Sequence, residues 1–470
     1  MSEKAIAKKP HFPDGMAIVM SFTLLAWLLS FVIPSGTFER IADPVTGRNI
    51  VDAASFHFVD KSYLSLIDLL SSLHNGFVSA SDMIIMTFLI GGAFSVARKI
   101  GIIDIMIKRL AYHMRNKSIW VIPMMMILIS LMENFLGTPE ICLIFIPILM
   151  PLFLSLGFDA MTACGAVLIS ECIGFTVSFA NPFTVIIGQK LAGLPLYSGF
   201  AFRFIAWALS LAVAILFVAS YGKKVQANPA KSLVYDPAAS SAAVAGFQVE
   251  DAAFTLRQKL AGIAFLLIFS GMLISIIFFE MLDIAQMDAF FLLMCIVPGM
   301  IAGLSSKELV DAVMKGAKSV MYGAFMMAVA RSVSTILTAS GTVDTIVYYL
   351  SGAVSQLPSY LAVIGMQLVQ SVMNFVIPSG SGQAIVTLPI LLPLSDVVGI
   401  TNQTAIIAFQ YGDGLANIIV PNSGILFACL ALGNITYNKW LKWFGKFFIF
   451  QNIMSFGVLI IAHLIQWGPF

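Results

Sequence analysis

The chain has 470 residues, of which 59% are hydrophobic and only 11% are charged, and its formal net charge is +2. Soluble domains carry about 25% charged residues, and a single soluble core stops growing near ~300 residues. The composition therefore excludes one soluble globular core and indicates a chain surrounded by lipid. A net charge this small gives no reason to expect a nucleic-acid partner.

The first apolar segment, 15–34, follows a polar N-terminus that carries Lys4, Lys8 and Lys9. It is long enough to span a membrane, and no small-residue cleavage site ends it. We therefore expect a retained helix and not a removed signal peptide. Apolar segments of spanning length then recur at 81–99, 160–190, 199–221, 256–280, 286–304, 320–340, 402–430 and 443–467.

Two longer apolar segments, 119–156 and 358–397, are interrupted by turn residues at 137–140 and 378–383. Each could be two spans, but each arm is shorter than a comfortable span, which favours a re-entrant hairpin. Irregular backbone at membrane depth survives only where protein or a water-filled cavity covers it. Both hairpin tips are therefore expected inside the protein.

Basic residues predict the orientation, because cytoplasmic loops are enriched in Lys and Arg. With the N-terminus inside, 20 of the 26 Lys and Arg residues fall on the cytoplasmic side and four fall outside. The prediction is an all-α protein of a bacterial inner membrane, with about nine spans and two re-entrant hairpins. Its N-terminus is cytoplasmic and its C-terminus is outside.

Rare features recur in the same order at an offset near 240 residues, which predicts two repeats. The second repeat would begin in the opposite direction to the first, so the repeats are inverted, as in many transporters. The matched features are Gly101 with Gly341, Asn134 with Asn374, Pro147 and Pro151 with Pro389 and Pro393, Glu171 with Asp413, and Asn181 with Asn422.

The predicted organisation places the first repeat at 81–221, with hairpin 119–156, and the second at 320–467, with hairpin 358–397. Residues 1–80 would supply the N-terminal helix and an outer loop at 35–62. Residues 222–255, rich in Ala, Ser and Pro, read as a cytoplasmic linker, and 256–304 as connecting helices.

Proline beside asparagine predicts unwound points at 180–182 and 421–423, because proline frees a backbone carbonyl inside a helix. The two hairpin tips would meet these points from opposite sides of the membrane. Positive helix N-termini suit a carboxylate there, and free carbonyls suit a cation. A single kink of this kind could serve packing alone, whereas the symmetric set favours a binding site.

Ionisable residues inside a membrane are costly and usually functional; the alternative is a buried carboxylate paired with Arg331 or with backbone. Glu133 is a weaker candidate, and Arg203 is expected to snorkel near the outer interface. No catalytic residue, metal site or cofactor is predicted, and coupling to Na+ or H+ is expected. The predicted ion-coupling residues are Glu171, Asp413, Glu140 and Arg331, and the predicted substrate-binding residues are Asn181, Asn422, Ser379, Ser381, Gln383, Thr138, Glu140 and Asp413.

The motifs at 375–383 (FVIPSGSGQ) and 408–414 (AFQYGDG) resemble the YfcC-type branch of the C4-dicarboxylate anaerobic carrier family. Shorter matches, at 33–36, 91–94, 181–183 and 192–195, extend the resemblance along nearly the whole chain. The first tip departs from the family pattern, since 137–140 carries one acid where relatives often carry two. The resemblance implies alternating access of the elevator type and, by analogy, a homodimer.

Three functions remain open from the sequence. Inside the membrane the sequence places three or four acids but one deep cation, Arg331. This excess of acids favours an antiporter whose substrate is a basic amino acid, such as arginine or ornithine. The family label favours a C4-dicarboxylate or other organic anion coupled to Na+ or protons. A remote alternative is an intramembrane protease, since 411–414 (YGDG) faintly resembles an aspartyl protease motif.

Overall fold

The computed structural model describes residues 15–44, 49–103, 105, 109, 112, 117–137, 139–235, 254–279 and 284–468. The described residues are mainly helical, and their strands are short and confined to the outer loop. The predicted all-α polytopic class is thus confirmed. Residues 1–14 and most of the predicted linker 222–255 lie outside the described residues.

The described helices follow one another with short connections. Three of these connections contain single helical turns, at Ser118–Trp120, Pro182–Ile186 and Pro229–Lys231. In chain order the helices are α1 (Gly15–Ser30), α2 (Leu66–Ser79), α3 (Ser81–Ile100), α4 (Val121–Leu136), α5 (Ile141–Ser155), α6 (Ala160–Thr176), α7 (Ile187–Leu191), α8 (Phe200–Ala227), α9 (Leu256–Phe279), α10 (Ile284–Ala302), α11 (Ser306–Ala339), α12 (Val343–Ser355), α13 (Ser359–Val376), α14 (Gly380–Val397), α15 (Asn402–Ala416), α16 (Gly424–Leu432) and α17 (Tyr437–Leu464).

Seven helical segments among the described residues are long and apolar enough to cross a membrane. They include the first arm of each hairpin, Ser118–Leu136 and Ser359–Val376, so the expectation that every arm is too short for a span is wrong for these two. The predicted spans 160–190 and 402–430 are each interrupted by a helix break, as expected. Helix α6 ends at Thr176 and α15 ends at Ala416.

Both hairpins nevertheless turn inside the protein. The tips after α4 and α13 line one cavity together with Arg331, which lies in α11. If each hairpin were two complete spans, its tip would lie at the membrane surface and could not meet the opposite tip. The hairpins are therefore re-entrant, as the interruptions in the apolar segments predicted.

Helix α11 begins 14 positions before the predicted span at 320, and α2 is a helix that was not predicted. Both begin with the same capping box: Ser305 and Glu308 cap α11, and Ser65 and Asp68 cap α2. Such a box satisfies two backbone N–H groups that a helix start leaves without partners. The matched boxes show that α2 and α3 together correspond to the single helix α11.

These corresponding helices pack against each other in opposite directions. A Cβ on Gly76 would lie 2.2 Å from the Ala328 carbonyl oxygen, and one on Gly91 would lie 2.7 Å from the Gly316 oxygen. As the residue number increases along α2 and α3, the number of the contacting residue in α11 decreases. Antiparallel pairing of equivalent helices is what a two-fold axis in the membrane plane produces, so the repeats are inverted.

The helices form two packed groups. The frame comprises α1–α3 and α9–α11, in which α11 packs along α1, α2 and α3. The hairpin unit comprises α4–α8 and α13–α17, in which α6 packs on α4 and α15 packs on α13. The two groups meet mainly where α16 lies against α11, with Ala428 directly opposite Gly323.

The predicted outer loop, 35–62, is folded onto the second repeat. Strands β1 (Gly36–Thr37) and β4 (His57–Phe58) pair antiparallel, as do β2 (Arg40–Ala42) and β3 (Asn49–Val51). Arg40 forms a salt bridge of 2.9 Å with Asp344 in the first turn of α12. The loop thereby connects the end of the frame to the start of the second hairpin region.

Candidate functional site

One cavity of about 270 Å³ lies where the hairpin tips, the second helix break and the frame meet. Its walls are mostly apolar, and its polar groups come from five separate segments of the chain. Cavities at discontinuous helices between inverted repeats are typical substrate sites of transporters. The polar side chains that line it are Glu140, Glu171, Arg331, Ser379, Ser381, Asn417, Asn422 and Ser423.

The first tip is shaped by Gly137, which ends α4 with φ of 62°. Residues with a side chain rarely adopt this left-handed conformation. A Cβ at Gly137 would also lie 2.6 Å from Oδ1 of Asn181, so the tip rests directly on the first break. Pro139 and Glu140 then turn towards the cavity and begin α5.

The first break is held open by asparagine side chains. Oδ1 of Asn181 accepts hydrogen bonds from the backbone N–H groups of Phe183 and Thr184, at 2.8 and 3.2 Å. Asn134 in α4 accepts from the Ser178 hydroxyl and from the Phe179 N–H. These bonds replace the helical bonds that the chain loses after α6. Nδ2 of Asn181 is buried and has no hydrogen-bond partner in the described part of the chain.

The second tip is built by the cap of α14. The Ser379 hydroxyl accepts a 3.3 Å hydrogen bond from the Gly382 N–H, and Ser379, Gly380 and Ser381 all line the cavity. Asn422 lines it from the second break and donates to the Phe375 carbonyl oxygen just before this tip. Oδ1 of Asn422 is buried, and no described residue donates a hydrogen bond to it. The tip and the break are thus joined by one side chain.

Asp413 lies immediately behind the second tip. Its Oδ1 accepts a 2.7 Å hydrogen bond from Nδ2 of Asn374, while its Oδ2 is buried with no hydrogen-bond partner among the residues that the structure describes. A Cβ at Gly380 would lie 3.0 Å from that Oδ2. Asp413 is therefore separated from the cavity by a single glycine, although it does not line the wall.

Glu140, Glu171 and Arg331 bring charge to the cavity itself. None of the three forms a salt bridge with another described residue; the ion pair seen among described residues is Arg40–Asp344 in the outer loop. Arg331 is close enough to Glu140 to attract it electrostatically. The cavity therefore offers charged groups that are not already neutralised by a direct contact.

Other predicted site residues lie elsewhere. Gln383 does not line the cavity: its amide donates to the carbonyl and the side-chain oxygen of Gln370, so it braces the two arms of the second hairpin. Thr138 lies outside the described residues. Arg203 is 2% exposed and does not snorkel, which corrects the prediction. It donates to Gln410 and Gln403 and stacks 5.3 Å over Trp467.

Two residues at the site were missed in the sequence. Asn374 was used only to align the repeats, yet it holds both Asp413 and Asn417, at 2.7 and 3.0 Å. Asn417 follows the last residue of α15 and lies one helical turn after Asp413, a spacing that places both side chains on one side of the helix end. That spacing is the signal that could have found it.

The geometry defines a class of protein. Two re-entrant hairpins, two broken helices and a charged cavity between inverted repeats form the architecture of a secondary transporter. The family comparison is consistent with it: residues 12–464 match the model of the C4-dicarboxylate anaerobic carrier family, and the chain belongs to that family. Membership of a carrier family makes the chain a membrane transporter and not an enzyme, which removes the protease alternative.

Two relatives align over nearly their whole lengths. The "Putative basic amino acid antiporter YfcC" of Escherichia coli (strain K12) is 28% identical over 98% of this chain and 99% of its own. An uncharacterized protein of Haemophilus influenzae is 25% identical over 92% of this chain and 93% of its own.

Two solved transporters also align with most of the chain. Neisseria gonorrhoeae MtrF, described with a class of antimetabolite efflux pumps, is 17% identical over 98% of this chain and 97% of its own, with a TM-score of 0.43. The Alcanivorax borkumensis YdaH transporter is 15% identical over 97% of this chain and 100% of its own, with a TM-score of 0.42.

Proposed function

We propose that this carrier is an antiporter of basic amino acids such as arginine and ornithine. The observation that supports it is the charge of the cavity, where Glu140 and Glu171 face one cation, Arg331. A doubly anionic substrate would meet two carboxylates, whereas a cationic side chain would be attracted by them. The name of the Escherichia coli relative agrees with this substrate class.

In this proposal the two ends of the amino acid bind to different walls. The cationic side chain lies beside Glu140 and Glu171. The α-carboxylate binds Arg331 and the N-terminus of α16, where Gly424 and Ile425 line the cavity. Helix N-termini favour carboxylates because their N–H groups lack intrahelical partners. Hydroxyls of Ser379 and Ser381 and the amide of Asn422 would complete the site.

The roles of the remaining residues follow from where they lie. Asp413 and Asn181 lie behind the two tips, and each has a buried polar atom that no described residue contacts by a hydrogen bond. We propose that they respond to substrate through Gly380 and Gly137. Asp413, Glu171, Glu140 and Arg331 would couple the movement to Na+ or H+. The hairpin unit would move relative to the frame to expose the cavity on alternate sides of the membrane.

The membrane setting also belongs to the proposal. The distribution of Lys and Arg supports a bacterial inner membrane with the N-terminus in the cytoplasm. Resemblance to elevator-type carriers supports a homodimer. Cysteine labelling from each side of the membrane tests the orientation, and the mass of the detergent-solubilised protein tests the dimer.

The second candidate is a carrier of C4-dicarboxylates coupled to Na+ or protons. The description of the family supports it, and so does the presence of Arg331 in the cavity. In that case some of the acids would carry protons or hold Na+, which would remove their repulsion of the anion. Labelled succinate, driven by a Na+ or proton gradient, is the matching substrate to test.

The deciding experiment is uptake of labelled arginine into proteoliposomes preloaded with ornithine. We expect rapid exchange in the wild type and its loss in Asp413→Asn. Asp159→Asn is the matched control, because Asp159 is a nearly buried carboxylate that caps α6 far from the cavity. Exchange no faster than in empty liposomes would reject basic amino acids as the substrates, and succinate would then be the first substrate to test.

A further inference from the structure

Glu133 is a carboxylic acid in a position that water does not reach. It lies in α4 one turn before the first tip and is 0% exposed, and neither of its side-chain oxygens has a hydrogen-bond partner among the described residues. Its Cβ would lie 2.8 Å from a Cβ on Gly174, so α6 packs directly over it. Buried carboxylates without partners are rare, because burial strongly disfavours the charged form.

Glu133 belongs to a group of three acids around the first tip. Gly174, which packs on Glu133, is one turn after Glu171 in α6, and Glu171 lines the same cavity as Glu140. When ionised, the three acids therefore repel one another. Arg331 attracts Glu140. Among the described residues, no cation acts in the same way on Glu133 or Glu171. Two of the three acids are therefore uncompensated when all are ionised.

Several other polar groups around the first hairpin already form hydrogen bonds. The Cys142 thiol on α5 donates to the Val167 carbonyl oxygen. On α8, Trp207 donates to Ser130, the residue one turn before Glu133, and Arg203 is held by glutamines. Asp413 on α15 is bound to Asn374. Glu171 lies one turn before Gly174 on α6, the helix that covers Glu133, so it is the acid whose ionisation competes with that of Glu133.

We propose that Glu133 and Glu171 together hold one exchangeable proton, which leaves when a cationic substrate binds beside Glu171. Glu171 lines the cavity and Glu133 is fully buried, so the pair connects the substrate site to the interior of the protein. Two nearby carboxyls share a proton because both cannot ionise together. The proton passes from a carboxyl oxygen to water in the cavity, and it returns when the substrate leaves. This coupling rests on the proposed function; the proton site itself does not.

Infrared spectroscopy of the purified carrier near neutral pH tests the site without any substrate. We expect a carboxylic acid C=O stretching band in the wild type that is lost in Glu133→Gln and in Glu171→Gln. Asp159→Asn should keep the band, because Asp159 is a buried carboxylate whose oxygens already accept from Thr162, Tyr221 and Ser232. If the wild type lacks the band, or both glutamine variants retain it, the proton site is rejected.

Adding arginine then tests the coupling. The band should weaken, and about one proton per bound arginine should appear in a weakly buffered solution containing a pH indicator. Arginine binding without either change would overturn the coupling. The carrier could instead show the band in the wild type and lose it in the two Gln variants, yet neither bind nor exchange arginine. That result would reject the proposed substrate and still support the proton site. The two Gln variants serve as alternatives, should one of them fail to fold.

Discussion

Asn374 holds Asp413 through a 2.7 Å hydrogen bond from Nδ2 to Oδ1, and the same amide nitrogen reaches Oδ1 of Asn417 at 3.0 Å. The bond joins α13, the first arm of the second hairpin, to α15, the helix that breaks near the cavity. Asn134, the equivalent residue of the first repeat, instead holds Ser178 and Phe179 beyond the end of α6. The two asparagines therefore fix the two breaks by different contacts.

Replacing Asn374 by alanine should weaken the second break. The Oδ1 atom of Asp413 would lose its donor in a buried place, which costs about 1–3 kcal/mol. We expect a lower unfolding temperature in detergent and exchange reduced about tenfold or more, as a shift of ~1.4 kcal/mol would produce. The measurements are a thermal melt and initial exchange rates. Asn374→Asp with wild-type exchange would show that the amide donor is dispensable.

Gly380 should tolerate no side chain. A Cβ there would lie 3.0 Å from Oδ2 of Asp413 and 3.0 Å from Cζ of Phe175, which is tighter than ordinary packing. Overpacking of this kind costs about 1–3 kcal/mol, and here it would press on the tip and on the carboxylate together. Gly380→Ala should therefore lower substrate affinity in a binding titration.

Gly352→Ala is the matched control for Gly380→Ala. Gly352 lies in α12, and nothing stands within 4 Å of the Cβ that alanine would add. We expect unchanged affinity and a folded state that is equally or slightly more stable, because alanine favours helices by up to about 1 kcal/mol over glycine. An equal loss of substrate affinity in the two variants would mean that close packing at Gly380 is not what the site requires.

Much of the architecture could be predicted from the sequence because its signals are local. The prolines beside Asn181 and Asn422 predicted both breaks, and the turn residues around Gly137 predicted the first tip. Helix α2 was not predicted because its apolar segment is shorter than a membrane span, although its capping box at Ser65 and Asp68 can be recognised in the sequence. The length of α11 was missed because charged residues at its start read as a loop.

The contacts of long polar side chains could not be predicted in the same way. Gln383 stands beside two serines in the tip motif, so it was assigned to the substrate, yet it turns back to Gln370 in the neighbouring arm. Arg203 was expected at the interface, but its glutamine partners lie about 200 positions later in the chain. Composition predicts that such groups need partners, whereas the partner depends on the packed fold.

The close approach of α3 to α11 should be sensitive to a single methyl group. A Cβ on Gly316 would lie 2.1 Å from the Gly91 carbonyl oxygen, so the two backbones would have to separate. Gly316→Ala should destabilise the frame by about 1–3 kcal/mol or more, seen as a lower unfolding temperature in detergent. Gly445→Ala in α17, where a Cβ meets nothing within 4 Å, should leave that temperature unchanged or higher.

Asp344 should matter more to the outer loop than its partner Arg40. The Asp344 carboxylate accepts from Phe38 N–H at 3.0 Å as well as from Arg40, whose side chain is 40% exposed. Asp344→Ala leaves the buried Phe38 N–H without an acceptor and should cost about 1–3 kcal/mol. Arg40→Ala loses a solvent-screened pair and should cost about 1 kcal/mol or less. Thermal melts and protease cleavage of the loop measure both; an Arg40 variant as unstable as the Asp344 variant would show that the salt bridge, and not the backbone contact, anchors the loop.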